Sequence, residues 1–126
     1  MKLLITGGRH LNPAEWKALL TWYYDHANYC AEIWHGGAQG GDQMAAQLAD
    51  HLGAPERIIK PDYSKHPGHK APLMRNTELV ERTTHTLALH DGELSNGTAD
   101  TVRKSKAAGH PTWALNVNTG EAVRLK

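Results

Sequence analysis

The chain is expected to be an α/β protein, with a single Rossmann-like, doubly wound, mainly parallel sheet. Three observations predict this. Short apolar runs alternate with segments of helical periodicity from one end of the chain to the other. Three of these runs, at Leu3-Leu4-Ile5, Ile33-Trp34 and Leu87-Ala88-Leu89, pass through a glycine-containing loop into a helix. The length of 126 residues, with 40% hydrophobic side chains, suits one domain that buries roughly two-thirds of its unfolded surface.

Lys2 to Thr6 reads as a first buried strand. A helix then starts at Asn12-Pro13-Ala14-Glu15, where Asn12 suits the cap, Pro13 the first helical position and Glu15 the return bond of a capping box. Leu11 and Trp16 have staple spacing, and Trp16, Leu19, Leu20 and Tyr23 mark one apolar face. The second strand covers about Ala31 to His35, with Cys30 read as a small buried residue beside it. Asp42 is expected to cap the next helix, whose stripe Met44, Ala45, Leu48, Ala49, Leu52 ends at Gly53. Arg57 to Lys60 is a short third strand, and Pro61 to Pro72, rich in proline, glycine and histidine, a loop. Leu73 to Arg82 is a helix, Thr86 to His90 the fourth strand, and Thr98 to Ala108 a helix stopped by Gly109. Thr112 to Val117 is the fifth strand. Asn118-Thr119-Gly120 then turns the chain into a short antiparallel edge strand, Glu121 to Leu125.

Right-handed crossovers give the parallel strands the order 3-2-1-4-5. The chain direction across the sheet reverses between strands 1 and 4, and ligands of such folds sit there, outside the carboxyl ends of the strands. The glycine loops follow strands 1, 2 and 4, so all three open onto one crevice.

Composition limits the function classes. No apolar run approaches the roughly 20 residues of a membrane span, and the N-terminus lacks a signal-peptide pattern. A single cysteine excludes an internal disulfide framework and suits a reducing, cytoplasmic setting. A net charge of +1 gives no global footprint for nucleic acid, although Lys60, Lys65, Lys70 and Arg75 cluster locally with His66 and His69. His66 and His69 lack a carboxylate or cysteine set at ligand spacing, so no metal is expected, and no cofactor either. Cys30 and Ser95 carry no nucleophile signature.

The glycine loops match neither standard phosphate fingerprint. Gly7-Gly8-Arg9-His10 is not Gly-x-Gly-x-x-Gly, and no Gly-Lys-Ser/Thr follows Gly40-Gly41, which demotes a nicotinamide enzyme and an ATPase. Backbone amides and side chains acting together remain. Gly7, Gly8, Gly36, Gly37, Gly97 and Thr98 are the candidate phosphate cradle, with Gly97-Thr98 the best single anion position because it opens a helix. Arg9 and Arg75 are candidate phosphate cations; a surface arginine paired with a carboxylate is the plain alternative for Arg9. His35 either packs at the strand end or faces the ligand. Asp42 is a cap that could also meet a ribose hydroxyl. Asn76 neighbours Arg75, and Asp100 is placed in the first turn of its helix.

Taken in order, Thr6-Gly7-Gly8-Arg9, His35-Gly36-Gly37-Ala38-Gln39-Gly40-Gly41-Asp42, Pro61-Asp62, Ala71-Pro72-Leu73-Met74-Arg75-Asn76 and Gly97-Thr98-Ala99-Asp100 resemble the YspA/YpsA-related domains. These belong to the SLOG superfamily of Rossmann-like proteins, named for the Smf/DprA and lonely-guy proteins. The resemblance runs from Thr6 to about Thr112 and implies a nucleotide or nucleotide-derived ligand, such as a nucleoside monophosphate, ADP-ribose or a related signal. Lonely-guy enzymes cleave the N-glycosidic bond of nucleoside monophosphates, and on that resemblance Arg75 and Asp100 are the catalytic candidates. The family's glutamate, three residues after the Gly-Thr pair, is Thr101 here; Asp100 is the nearest carboxylate, and the preceding Pro-Gly-Gly is replaced by Asp91 to Asn96. Glycosidic cleavage needs a carboxylate close to the sugar, so these departures favour binding over turnover. The leading expectation is a sensor or sequestering module for a nucleotide-derived small molecule. A phosphoribohydrolase is the alternative, and single-stranded DNA binding through Lys60 to Arg75 is the third reading, disfavoured by the charge. Lonely-guy relatives pair through helix faces, which implies a homodimer.

Overall fold

The structure, a computed structural model, describes residues 1–27 and 32–126. Six strands form one sheet in the order β3-β2-β1-β4-β5-β6: β1 Lys2–Gly7, β2 Glu32–His35, β3 Glu56–Ile58, β4 His85–His90, β5 Thr112–Asn116 and β6 Ala122–Leu125. The first five are parallel and β6 runs antiparallel to β5, as the strand-helix alternation predicts. Four helices flank the sheet: α1 Lys17–His26, α2 Gly41–Leu52, α3 Lys70–Arg82 and α4 Asn96–Ala107. Among the described residues no helix is long and apolar enough to cross a membrane.

The two faces of the sheet are built differently. On one, Leu3, Ile5, Ile33, Leu87, Leu89 and Leu115 meet Leu19 and Trp22 of α1 and Met44, Ala45 and Leu48 of α2. On the other, Leu4 and Trp34 meet Leu79 and Val80 of α3, with Ile59 packed against this smaller cluster. Strand alternation sorts these side chains, since neighbours such as Leu3 and Leu4 must point to opposite faces. α4 docks through hydroxyls: Ser105 Oγ, fully buried, lies 2.8 Å from Thr86 Oγ1 and 2.9 Å from Thr112 Oγ1. Burial without partners would make these groups costly; satisfied by one another, they fix the register of α4 on β4 and β5.

Several local expectations shift. Asn12 does cap, its Oδ1 accepting from the Ala14 N–H at 3.1 Å, but the segment it starts is a 3-10 turn at Pro13–Glu15, and α1 begins only at Lys17. α3 starts at Lys70 rather than Leu73, because Pro72 falls in its first turn, where a missing N–H removes no helical bond. β3 lies at Glu56–Ile58, two residues short of Lys60. α4 begins at Asn96 with Ser95 as its cap. Cys30 and Ala31 lie outside the described residues.

The carboxyl ends of β1 and β2 are joined by backbone in direct contact. The Gly41 N–H donates to the Gly8 carbonyl at 3.1 Å, and Gly40, at φ +69°, packs on the same carbonyl. A Cβ on Gly41 would lie 2.5 Å from Gly7 Cα, and one on Gly7 would lie 2.9 Å from Gly41 Cα. Only glycine at both positions lets the β1 loop rest on the first turn of α2. Gly41→Ala should therefore lower stability by about 1–3 kcal/mol through forced backbone movement. Urea unfolding tests this, and an unchanged midpoint would mean that the two loops separate at little cost.

Candidate functional site

At the switch between β1 and β4 a crevice of about 400 Å³ opens above the carboxyl ends of the strands. Of the residues singled out from the sequence, Gly7, Arg9, Asp42, Asn76, Gly97 and Thr98 line it together. Thr6, His10, Ala38 and Ser95 complete the wall. Three loops contribute, after β1, β2 and β4, along with one side chain from α3.

One wall is the amino end of α4. Ser95 takes up the Thr98 N–H at 3.3 Å and its hydroxyl donates to Thr98 Oγ1 at 2.8 Å, so the cap is a short Ser-Thr pair. The first amides of α4, at Asn96 and Gly97, have no acceptor within the helix and carry its partial positive charge. Gly97 differs from Gly7 and Gly41 in having open space where a Cβ would stand, and like them it has no positive φ. The fold itself does not require glycine there.

Arg9 and His10 form the mouth, and both are exposed. His10 Nε2 lies 3.0 Å from Asp91 Oδ2, tying the β1 loop to the β4 loop, and that hydrogen bond pulls the Asp91 carboxyl below its usual range. Arg9 forms no ion pair or hydrogen bond among the described residues, unlike the paired surface arginine of the plain reading.

The floor is Asp42, whose placement differs from the expected cap. Gly40 is the residue before α2, and Asp42 sits in its first turn, 6% exposed, with Oδ2 accepting from the Ala38 N–H at 3.0 Å. Burial raises its carboxyl above the ordinary value; the Ala38 amide and the nearby His35 and Arg75 oppose this without cancelling it. No cation reaches salt-bridge distance of it among the described residues.

Arg75 and Asn76 brace this floor from α3. Arg75 Nη1 donates to the Gly36 carbonyl at 2.9 Å and its Nε to Asn76 Oδ1 at 3.0 Å. Any Cβ on Gly36 would run into that guanidinium. Burial draws the Arg75 guanidinium below its ordinary value, Arg9 adding to this and Asp42 opposing it. Arg75 is in the second turn of α3 and lies beneath the crevice, in a small chamber it shares with Ile5, Gly36 and Leu79. Asn76 Nδ2 reaches across to the Gly97 carbonyl and to Asp100 Oδ2, each at 3.3 Å, linking α3 to α4.

Gly8, His35, Gly36, Gly37, Arg75 and Asp100 do not line the crevice. His35 is 3% exposed; its Nδ1 accepts the Gly37 N–H at 3.0 Å, so the ring proton sits on Nε2, 2.6 Å from Glu56 Oε2. That arrangement fixes the Gly36-Gly37 loop to β3. Asp100 lies in the second turn of α4 rather than the first. Its carboxylate is held by Arg103 at 2.6 Å, Lys104 at 2.8 Å and Asn76. Burial raises Asp100, but the bonds from Lys104, Asn76 and Arg103 outweigh it and hold the group below the usual carboxylate range.

Ser95 was legible as a cap, being a serine three residues before a threonine at the head of a helix. Thr6, His10 and Ala38 carry no such signal and join the site only because of where their loops end. Compared with protein-family models, with curated proteins and with solved structures, the chain matches none.

A buried carboxylate without a counter-ion is a stability liability. With its folded pKa raised, Asp42 is best tolerated below the ordinary carboxylate value, and stability is lost as pH rises through the raised one. Asp42→Asn keeps an acceptor for Ala38 but removes the charge. Its melting temperature should exceed that of the parent at pH 8, by an amount worth about 0.5–2 kcal/mol, and converge with it near pH 4. A constant difference across that range would show that Asp42 does not titrate in this way.

Proposed function

We propose that this chain binds a nucleotide or nucleotide-derived ligand in the crevice, with phosphate at the amino end of α4, and acts as a sensor or sequestering module. One observation carries the reading: an exposed Arg9, unpaired among the described residues, the first amides of α4 and the sterically unrequired Gly97 border the same space of about 400 Å³ at the β1/β4 switch. An anion would find a cation, a helix dipole and close backbone approach in one place. The resemblance to SLOG domains points to the same ligand class. A phosphoribohydrolase on the family's pattern would need Asp100, which does not line the crevice, free to meet the sugar. The oxygens of Asp100 are already bonded to Arg103, Lys104 and Asn76, so binding is the favoured reading.

The test is to incubate the purified protein with nucleoside monophosphates, NAD, ADP-ribose and cyclic nucleotides, then to separate free from retained compounds by ultrafiltration and mass spectrometry. A retained, unaltered phosphorylated compound is expected; free base in the filtrate would make the protein a hydrolase, and no retention would overturn the reading. Arg9→Ala, at an exposed position, should fold normally and weaken retention about tenfold or more, as the loss of one charged hydrogen bond to phosphate requires. Gly97→Ala should likewise leave stability within about 0.5 kcal/mol of the parent while weakening the same ligand.

A further inference from the structure

The lining of the crevice is unusual for a nucleotide site in what it contains. Its described wall holds no Trp or Tyr, and no apolar side chain larger than Ala38. The one ring, His10, is tied to Asp91 through its Nε2 edge. The chain has no phenylalanine, and its tryptophans pack elsewhere: Trp16, Trp22 and Trp113 on the α1/α2 face of the sheet, Trp34 against α3. Nucleobases are held with selectivity by stacking on aromatic or apolar surfaces together with hydrogen bonds to their edges. The planar groups at the mouth, the Arg9 guanidinium and the exposed His10 ring, would stack on any base alike.

The polarity of the space runs from one end to the other. At the α4 end are amides and at the mouth is Arg9, which suit an anion. At the floor is Asp42, an acceptor-only carboxylate when ionised, which suits a donor such as a sugar hydroxyl. Its carboxylate takes the backbone amides of Ala38 and Gly36, and among the described residues no cation reaches salt-bridge distance of it. A small ligand with an anionic head and a hydroxyl-bearing tail matches both ends.

We propose that the crevice recognises the pentose-phosphate part of its ligand, with phosphate at Gly97 and Thr98 and sugar hydroxyls at Asp42, and that it is indifferent to the base. This rests on the phosphate-binding reading given above and narrows it to a sugar phosphate. It follows that a free pentose 5-phosphate occupies the site as well as a nucleotide does, and the ligand's identity is set by which sugar phosphate is abundant.

Calorimetric titration of the intact protein with ribose 5-phosphate, inorganic phosphate, adenosine and the four nucleoside 5'-monophosphates decides the matter. The expected result is ribose 5-phosphate and all four monophosphates within about threefold of one another, adenosine silent, and inorganic phosphate about tenfold weaker for want of the Asp42 contact. Asp42→Asn should weaken ribose 5-phosphate about tenfold and leave inorganic phosphate unchanged. One monophosphate preferred by more than tenfold, or monophosphates that bind while ribose 5-phosphate does not, would overturn the sugar-phosphate proposal and leave the nucleotide reading standing. If no phosphorylated probe binds, both fall.

Discussion

The contact between Gly7 and Gly41 is the constraint on which the rest of this molecule depends. Two backbones meet there with no room for a side chain on either, and the Gly41 N–H bonds the Gly8 carbonyl. This welds the end of β1 to the first turn of α2 and pulls Asp42, the next residue, out of water and under the β1 loop. A carboxylate in that position would normally be exposed and harmless. The glycine contact makes it buried, raised in pKa and available to whatever enters above it.

From that floor outward the site is held by side chains that answer one another across elements. Arg75 secures the Gly36 carbonyl, Asn76 accepts from Arg75 and donates to the Gly97 carbonyl, and Lys104 and Arg103 neutralise Asp100 beside it. The chain of contacts runs from the β2 loop through α3 to the head of α4. Removing any member leaves a polar partner unsatisfied, so these groups act as a frame. Arg9, by contrast, takes no part in the frame, and Gly97 is not sterically required by it. Groups that the fold does not need, gathered where the fold leaves a space, are where a ligand is best sought.

The same division explains the glycines, which looked alike in the sequence. Gly7, Gly40 and Gly41 serve close packing of backbone, Gly36 makes way for a guanidinium, Gly37 supplies a positive φ, and Gly97 does none of these. Composition cannot separate these uses, because glycine has no side chain to reveal what it faces. Its neighbours in space, which come from distant parts of the chain, decide.

By itself the sequence determined the alternation of strands and helices, and with it the sheet order and the place of the crevice, since periodicity, caps and crossover handedness are local or general rules. It also marked six of the residues that line the crevice, five at the end of β1 or on the loops and helix heads that follow β1, β2 and β4, which must converge in that topology, and Asn76 on α3. Tertiary structure decided what each residue does there. Asp42 lost its expected role as cap when Gly40 took the position before the helix; Arg75 became a brace because Gly36 lies beneath it; Asp100 was turned to Lys104 and Arg103 by the helical spacing of α4. The Gly40 cap and the Asp100 pairs with Arg103 and Lys104 are local, but Gly36 reaches Arg75 from 39 residues away and Asp100 meets Asn76 from 24, and no short window of sequence contains that information. The physical reason is that burial and charge pairing are properties of a three-dimensional neighbourhood, whereas helix and strand preference are properties of the chain.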